Sequence, residues 1–191
     1  MLNIVLFGAP GAGKGTQAIM LAEKYQLLHL STGDLLRKEI SAGTAFGKLA
    51  QQYSDKGEFV PDDLVIDIIR SQIEQNPNVH GFIFDGFPRT TVQAEALDRM
   101  LEEKNLQITL MIALEVETEE LVKRLTIRGQ ISGRADDQSL EVVSNRIAVY
   151  HQKTTPLIGY YTAQKKYHPV DGTGVIEEIF NRLCQKIDLF R

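Results

Sequence analysis

A single cysteine, Cys184, excludes an internal disulfide and any multi-cysteine zinc site. No segment nears the ~20 consecutive apolar residues that cross a bilayer. The apolar run Leu2 to Phe7 is short and no cationic stretch precedes it, so it reads as a first strand rather than a secretion signal. An excess of positive charge is also missing. Lys and Arg number 21 against 25 Asp and Glu, a net charge of −4, which argues against a broad nucleic-acid-binding face but leaves room for a local basic cleft. His29, His80, His151 and His168 share no metal-ligand spacing, and there is neither an internal repeat nor a low-complexity linker. What remains is a chain of 191 residues, 43% hydrophobic and 24% charged. That suits one α/β domain with small insertions, expected in a reduced, aqueous compartment such as the cytoplasm.

The segment GAPGAGKGT at 8–16 dominates the reading. An apolar strand pattern precedes it, and a helical pattern from Gln17 to Lys24 follows. Strand, Gly-rich turn and helix form the context of a phosphate loop. Its glycines let backbone N–H groups converge on an anion, the helix adds its positive end, and Lys14 supplies a cation for the outer phosphates. Gly15 stands where Ser or Thr usually follows the Lys, with Thr16 one residue later, so direct magnesium ligation by a hydroxyl at the usual place is not expected.

Further along, short apolar runs alternate with helical patterns. Strands are expected at 27–30, 81–84, 108–114 and 167–171. Helices are expected at 35–40, 46–53, 64–73, 90–104 and 117–128. A long helical pattern follows from Gln138 to Lys166, bent near Thr155-Pro156, and a closing helix runs from Thr173 to Phe190. This alternation predicts a doubly wound parallel sheet with helices on both faces. Ligands of such sheets lie beyond the carboxyl ends of the strands, where GAPGAGKGT, STGD at 31–34 and DGFPR at 85–89 all fall.

Asp85 ends an apolar strand, where a carboxylate is costly to bury. Beside a phosphate loop it is a candidate to hold magnesium, directly or through water; its alternative use is a turn at Gly86. Arg37, Arg89, Arg124, Arg128, Arg134 and Arg146 lie at loop edges or on adjoining helices. The planar guanidinium matches phosphate oxygens and stays charged when water is excluded. Arg124 reads equally well as a surface residue. Asp136 and Asp137 either latch a lid or cap the following helix.

Taken together, these motifs resemble the adenylate kinases, of the short-lid bacterial type. The resemblance rests on GAPGAGKGTQA at 8–18, STGDLLR at 31–37, DGFPRTTVQA at 85–94, R-x-x-x-R at 124–128, GRADD at 133–137, YHQKTTPLIGYY at 150–161 and VDGT at 170–173. It covers essentially the whole chain. It implies a five-stranded parallel core of the P-loop type at 1–30, 61–126 and 138–191. Two small mobile insertions go with it: a monophosphate-binding segment at 31–60 and a short lid at 127–137. The implied reaction is reversible phosphoryl transfer from MgATP to AMP, giving two ADP. On this resemblance ATP meets Gly11, Ala12, Gly13, Lys14, Gly15, Thr16, Arg128 and Gly174. AMP meets Thr32, Arg37, the backbone of Glu58, Phe59 and Val60, then Gly86, Phe87, Pro88, Arg89, Gln93, Arg134 and Arg146. Catalysis falls to Lys14, Arg89, Arg128, Arg134 and Arg146. Gly15 is the family's own pattern, which leaves Mg²⁺ mostly water-held with Asp85 as its outer anchor. A cis Phe87-Pro88 bond, a monomer, and the absence of structural zinc, nucleic-acid and membrane partners are implied too.

Rival readings are a UMP/CMP kinase, a GTP-using relative, a slowly hydrolysing nucleotide switch and a P-loop protein with a dead site. Thr32, where pyrimidine kinases tend to carry Ala, and Gln93, whose amide offers a donor and an acceptor to an adenine edge, favour AMP. A switch has no need of residues for a second nucleotide.

Overall fold

The computed structural model describes residues 1–132, 134–137 and 139–191. Five strands, β1 (Leu2–Phe7), β2 (Leu28–Ser31), β3 (Gly81–Asp85), β4 (Leu110–Glu115) and β5 (Tyr167–Asp171), form one sheet in the order β2-β3-β1-β4-β5. Every pairing is parallel. Alternate side chains of β1 enter opposite faces, as the two-residue period of a strand requires. Ile4 and Leu6 join a core with Ala18, Leu21, Leu125 and Leu183. Val5 and Phe7 join a second core with Ile69, Leu97, Leu101 and Tyr161. Two cores on two faces are the physical content of a doubly wound sheet.

The helices are α1 (Lys14–Tyr25), α2 (Thr32–Ser41), α3 (Ala45–Ser54), α4 (Asp62–Gln75), α5 (Thr91–Glu102), α6 (Thr118–Ser132), α7 (Leu140–Val149), α8 (Leu157–Ala163) and α9 (Ile176–Ile187). Ser31 caps α2 by accepting from the Asp34 N–H at 3.2 Å, and Thr44 caps α3 by accepting from Gly47 N–H at 2.9 Å. In α4 the buried stripe is Val65, Ile69 and Ile73, at i, i+4 and i+8, with Leu64 and Ile66 half-buried beside it.

The long helical pattern expected over 138–166, bent near Thr155-Pro156, is three pieces that meet around that bend. Between α7 and α8 lies a π-helical turn, Tyr150–Thr154, closed by Thr155 N–H donating to the Tyr150 carbonyl at 3.1 Å. Pro156 has no N–H, and its ring would meet the carbonyl four residues earlier, so an α ladder cannot run through it. The wider turn absorbs the mismatch. Gln138, the expected start of that helix, lies outside the described residues, as does Gly133. Helix α1 starts at Lys14, three residues ahead of the apolar pattern, and the closing helix starts at Ile176 rather than Thr173.

Candidate active site

The chain leaves β1 through Gly8, Gly11 and Gly13, whose φ angles of 147°, 87° and 92° are open to glycine. The loop delivers the chain to the N-terminus of α1, where the first N–H groups have no intrahelical acceptor. Lys14 Nζ folds over the loop and donates to the carbonyls of Gly8 at 2.7 Å and Ala9 at 3.0 Å. Burial lowers its pKa to about 8; Asp85 opposes that fall, and Arg89, Arg146 and Arg128 add to it.

Asp85 closes β3 and is 8% exposed. A side chain at Gly15 would begin 3.6 Å from Asp85 Oδ2, so the carboxylate stands against the phosphate loop. The same oxygen lies 3.3 Å from His29 Nε2 on the neighbouring β2. Sequence reasoning missed His29: no spacing links positions 29 and 85, and only the parallel register of β2 and β3 brings them together.

Five arginines converge from five places. Arg37 on α2 bonds Asp34 Oδ1 at 2.5 Å. Arg89, after β3, donates from Nε to the Gly86 carbonyl at 2.7 Å. Arg128 near the end of α6 grips Asp137 through Nε at 2.6 Å and Nη2 at 3.0 Å. Arg146 on α7 pairs with Asp136 Oδ2 at 2.9 Å and also with Asp137. Asp137 is thus a buried carboxylate shared by two cations. Its partners make it a tie between α6 and α7, and Ser139 rather than Asp137 occupies the cap position of α7. Burial, then the nearby Arg37 and Arg128, lowers the Arg134 pKa. Arg124 bonds Glu120 at 2.8 Å and the Gly172 carbonyl at 3.3 Å.

Lys14, Arg37, Arg89, Arg128, Arg134 and Arg146 all line one cavity of about 580 Å³, together with Gly11, Gly13, Gly15, Thr16, Asp85 and Pro88. A second, smaller cavity of about 120 Å³ is bounded by Thr32, Glu58, Phe59, Val60, Gln93 and the apolar side chains of Leu36, Ile40 and Val65. Gly33, Arg37, Phe59, Gly86, Arg89 and Arg146 line both. A cationic cavity that shares its rim with a smaller, more apolar one suits two ligands with phosphates at the shared edge.

Several expected residues sit differently from a free binding side chain. Gln93 is 1% exposed; its Oε1 accepts from Arg89 N–H at 2.7 Å and its Nε2 donates to Asp62 Oδ1 at 2.8 Å. Thr32 Oγ1 donates to the Gly86 carbonyl at 2.8 Å. Ala12 and Phe87 are 1% exposed with side chains in the cores, so only their backbones are on offer. Gly174, beyond β5, lines neither cavity and lies against Glu178 and Arg182. The Phe87-Pro88 peptide bond is cis.

A family model described as Adenylate kinase matches residues 6–166. The adenylate kinase of Flavobacterium psychrophilum is 53% identical over 188 residues, covering 98% of this chain and 99% of the relative. That of Bacteroides thetaiotaomicron is 50% identical over 188 residues, with the same coverage. That of Azobacteroides pseudotrichonymphae is 45% identical over 192 residues and all of both chains. With five parallel strands, a phosphate loop and near-complete coverage by these relatives, the chain belongs to the adenylate kinase family.

Proposed function

We propose that this enzyme carries out reversible phosphoryl transfer from MgATP to AMP, giving two ADP, at the junction of the two cavities. The observation that carries this reading is the meeting of a phosphate loop and five arginines where a second, more apolar pocket opens. A switch that hydrolyses one nucleotide has no use for that second pocket. A pyrimidine kinase is disfavoured by the adenylate kinase relatives spanning the whole chain.

The donor triphosphate is assigned to the 11–16 backbone, Lys14, Thr16 and Arg128, with Gly174 reaching the adenine after movement of its loop. The acceptor is assigned to Thr32, Arg37, Glu58 to Val60, Gly86 to Arg89 and Gln93, with Arg134 and Arg146 reaching its phosphate and the transferring group. Gln93 contributes the lone pair and N–H not taken by Arg89 and Asp62. AMP phosphate is already anionic near neutrality, so no strong general base is needed. Lys14, Arg89, Arg128, Arg134 and Arg146 stabilise charge as it spreads over the transferring phosphoryl group. Closure of the insertions at 31–60 and 127–137 excludes water, the competing nucleophile.

Magnesium fits the donor set in one way. Among the described residues no cluster of three His, Cys, Asp or Glu side chains could hold a metal ion. Asp85 alone stands at the loop, which suits a hard cation held mainly by phosphate and water. Bound there, magnesium offsets charge on the ATP phosphates. Among the described residues no helix is long and apolar enough to cross a membrane. By family resemblance we assign the enzyme as a cytoplasmic monomer.

Arg89→Ala and Arg128→Ala test the assignments. Each variant should fold and lose most turnover in a coupled ADP assay. Full activity in either refutes the role given to that arginine.

A further inference from the structure

Phe59 enters the reading above through its backbone alone. Its side chain has a separate place. The ring centroid lies 5.0 Å from Arg89 Cζ and 6.0 Å from Lys153 Nζ. Phe59 comes from the segment between α3 and α4, Arg89 from the loop after β3, and Lys153 from the π-helical turn. One half-buried ring therefore joins the insertion to two parts of the core.

The restraints on Arg89 explain why a ring is useful here. Its backbone is fixed at both ends: N–H donates to Gln93 Oε1 at 2.7 Å, and the carbonyl accepts from Thr154 Oγ1 at 2.9 Å. Its side chain is held at Nε by the Gly86 carbonyl. Among the described residues neither Nη has a protein acceptor and no carboxylate pairs with the group. The contrast with its neighbours is plain: Arg37, Arg128 and Arg146 are each held by an aspartate. A carboxylate would fix Arg89 as well, but it would occupy the in-plane donors and offset the charge that a phosphate needs. An aromatic face over the guanidinium fixes its plane and leaves the in-plane N–H groups open. Burial lowers the Arg89 pKa to about 10, so the guanidinium remains charged near neutrality.

We propose that the Phe59 ring is a positioning residue for Arg89, holding the guanidinium plane so that both Nη groups stay available to phosphate oxygens where the two cavities meet. This rests on the assignment of Arg89 to the transferring group. It also gives the 31–60 insertion a direct grip on the catalytic arginine, so that moving the insertion re-aims the guanidinium.

The test is a double-mutant cycle in the full chain, with Phe59→Leu, Arg89→Lys and the pair together, and with Phe59→Tyr as the conservative control. Leu keeps apolar bulk and removes the ring face; circular dichroism checks the fold of each variant. Phe59→Leu should lower kcat roughly three- to thirtyfold, the range that loss of a desolvated cation–π contact gives, with KM for MgATP unchanged. Phe59→Tyr should restore kcat to within about twofold, because the ring face is kept. In the Arg89→Lys background, Phe59→Leu should cost little more. A wild-type kcat in Phe59→Leu alongside a slow Arg89→Lys would overturn the proposal and leave the Arg89 assignment standing. Fully additive losses would also overturn it, since the ring would then act elsewhere. Wild-type turnover in Arg89→Lys would instead remove the assignment beneath it.

Discussion

At the residue scale, the buried charges decide how the site works. Burial holds the Lys14 pKa down to about 8. A bound triphosphate favours its protonated form. Binding of a non-hydrolysable MgATP analogue at about pH 8.5 should therefore take up a fraction of a proton. The affinity should be flat below about pH 8 and weaken above it. Titration calorimetry in two buffers of different ionisation enthalpy measures the uptake, and Lys14→Met should abolish it; no uptake by the unaltered protein would contradict the placement. Folding has its own dependence on this group. The native pKa lies below the ordinary lysine value of 10.5, so between about pH 8 and that value the unfolded chain binds more protons. Burying Lys14 costs stability in full below about pH 8, and the cost fades as pH rises through that window. Asp137 gives a second prediction. Asp137→Asn leaves Arg128 and Arg146 facing each other without their shared anion. Arg128 is 35% exposed, so solvent moderates the loss. We expect about 1–3 kcal/mol, less than for a fully buried pair, seen as a fall of about 2–4 °C in Tm per kcal/mol. KM for MgATP should rise as well. Unchanged Tm and KM would show the shared pair to be idle. The sequence named both aspartates but left latch and cap open, because an N-cap and an ion pair draw on the same residue types. Only the position of Ser139 at the head of α7 separates them.

Element by element, the strands were the most legible. Gly81 to Asp85 is apolar until its last residue, and burial on both faces leaves little else for such a run to be. The phosphate loop was legible for a related reason: few backbones other than a Gly-rich turn between strand and helix place so many N–H groups at one point. The start of α1 was not legible, because Lys14, Gly15 and Thr16 carry no apolar period to mark a first turn. Close approaches were not legible either. A Cβ on Gly47 would lie 2.1 Å from the Glu39 carbonyl oxygen, so α3 crosses α2 at backbone contact. A Cβ on Gly129 would collide with the Asp137 carbonyl oxygen, where the segment after α6 folds back against that helix. No local sequence pattern marks either glycine as a contact point. Gly47→Ala should force α2 and α3 apart, at about 1–3 kcal/mol for overpacking. Because α2 and α3 wall the smaller cavity, KM for AMP should rise while KM for MgATP holds. Steady-state kinetics with each substrate varied in turn checks this; equal rises in both would place the damage elsewhere.

For the whole molecule, the sheet order matters most. The chain passes from β1 over to β2 and later fills the gap with β3, then turns the other way to β4 and β5. The carboxyl ends of β1, β2 and β3 therefore stand side by side, and three motifs far apart in sequence meet there. The motifs announced that meeting; its consequence, two cavities sharing one rim of arginines, needed the packing of α2, α3, α6 and α7 around them. The Phe59 ring over Arg89 lay further still from the sequence, since no local period couples positions 59 and 89. The central claim is that the second cavity takes the phosphoryl acceptor. The most direct test measures ADP formation from MgATP with AMP, UMP, CMP or GMP as acceptor, alongside phosphate release with no acceptor. The structure predicts strong turnover with AMP and little release without it. Turnover chiefly with UMP or CMP would contradict the reading of Thr32 and Gln93, and acceptor-independent hydrolysis would contradict the central claim itself.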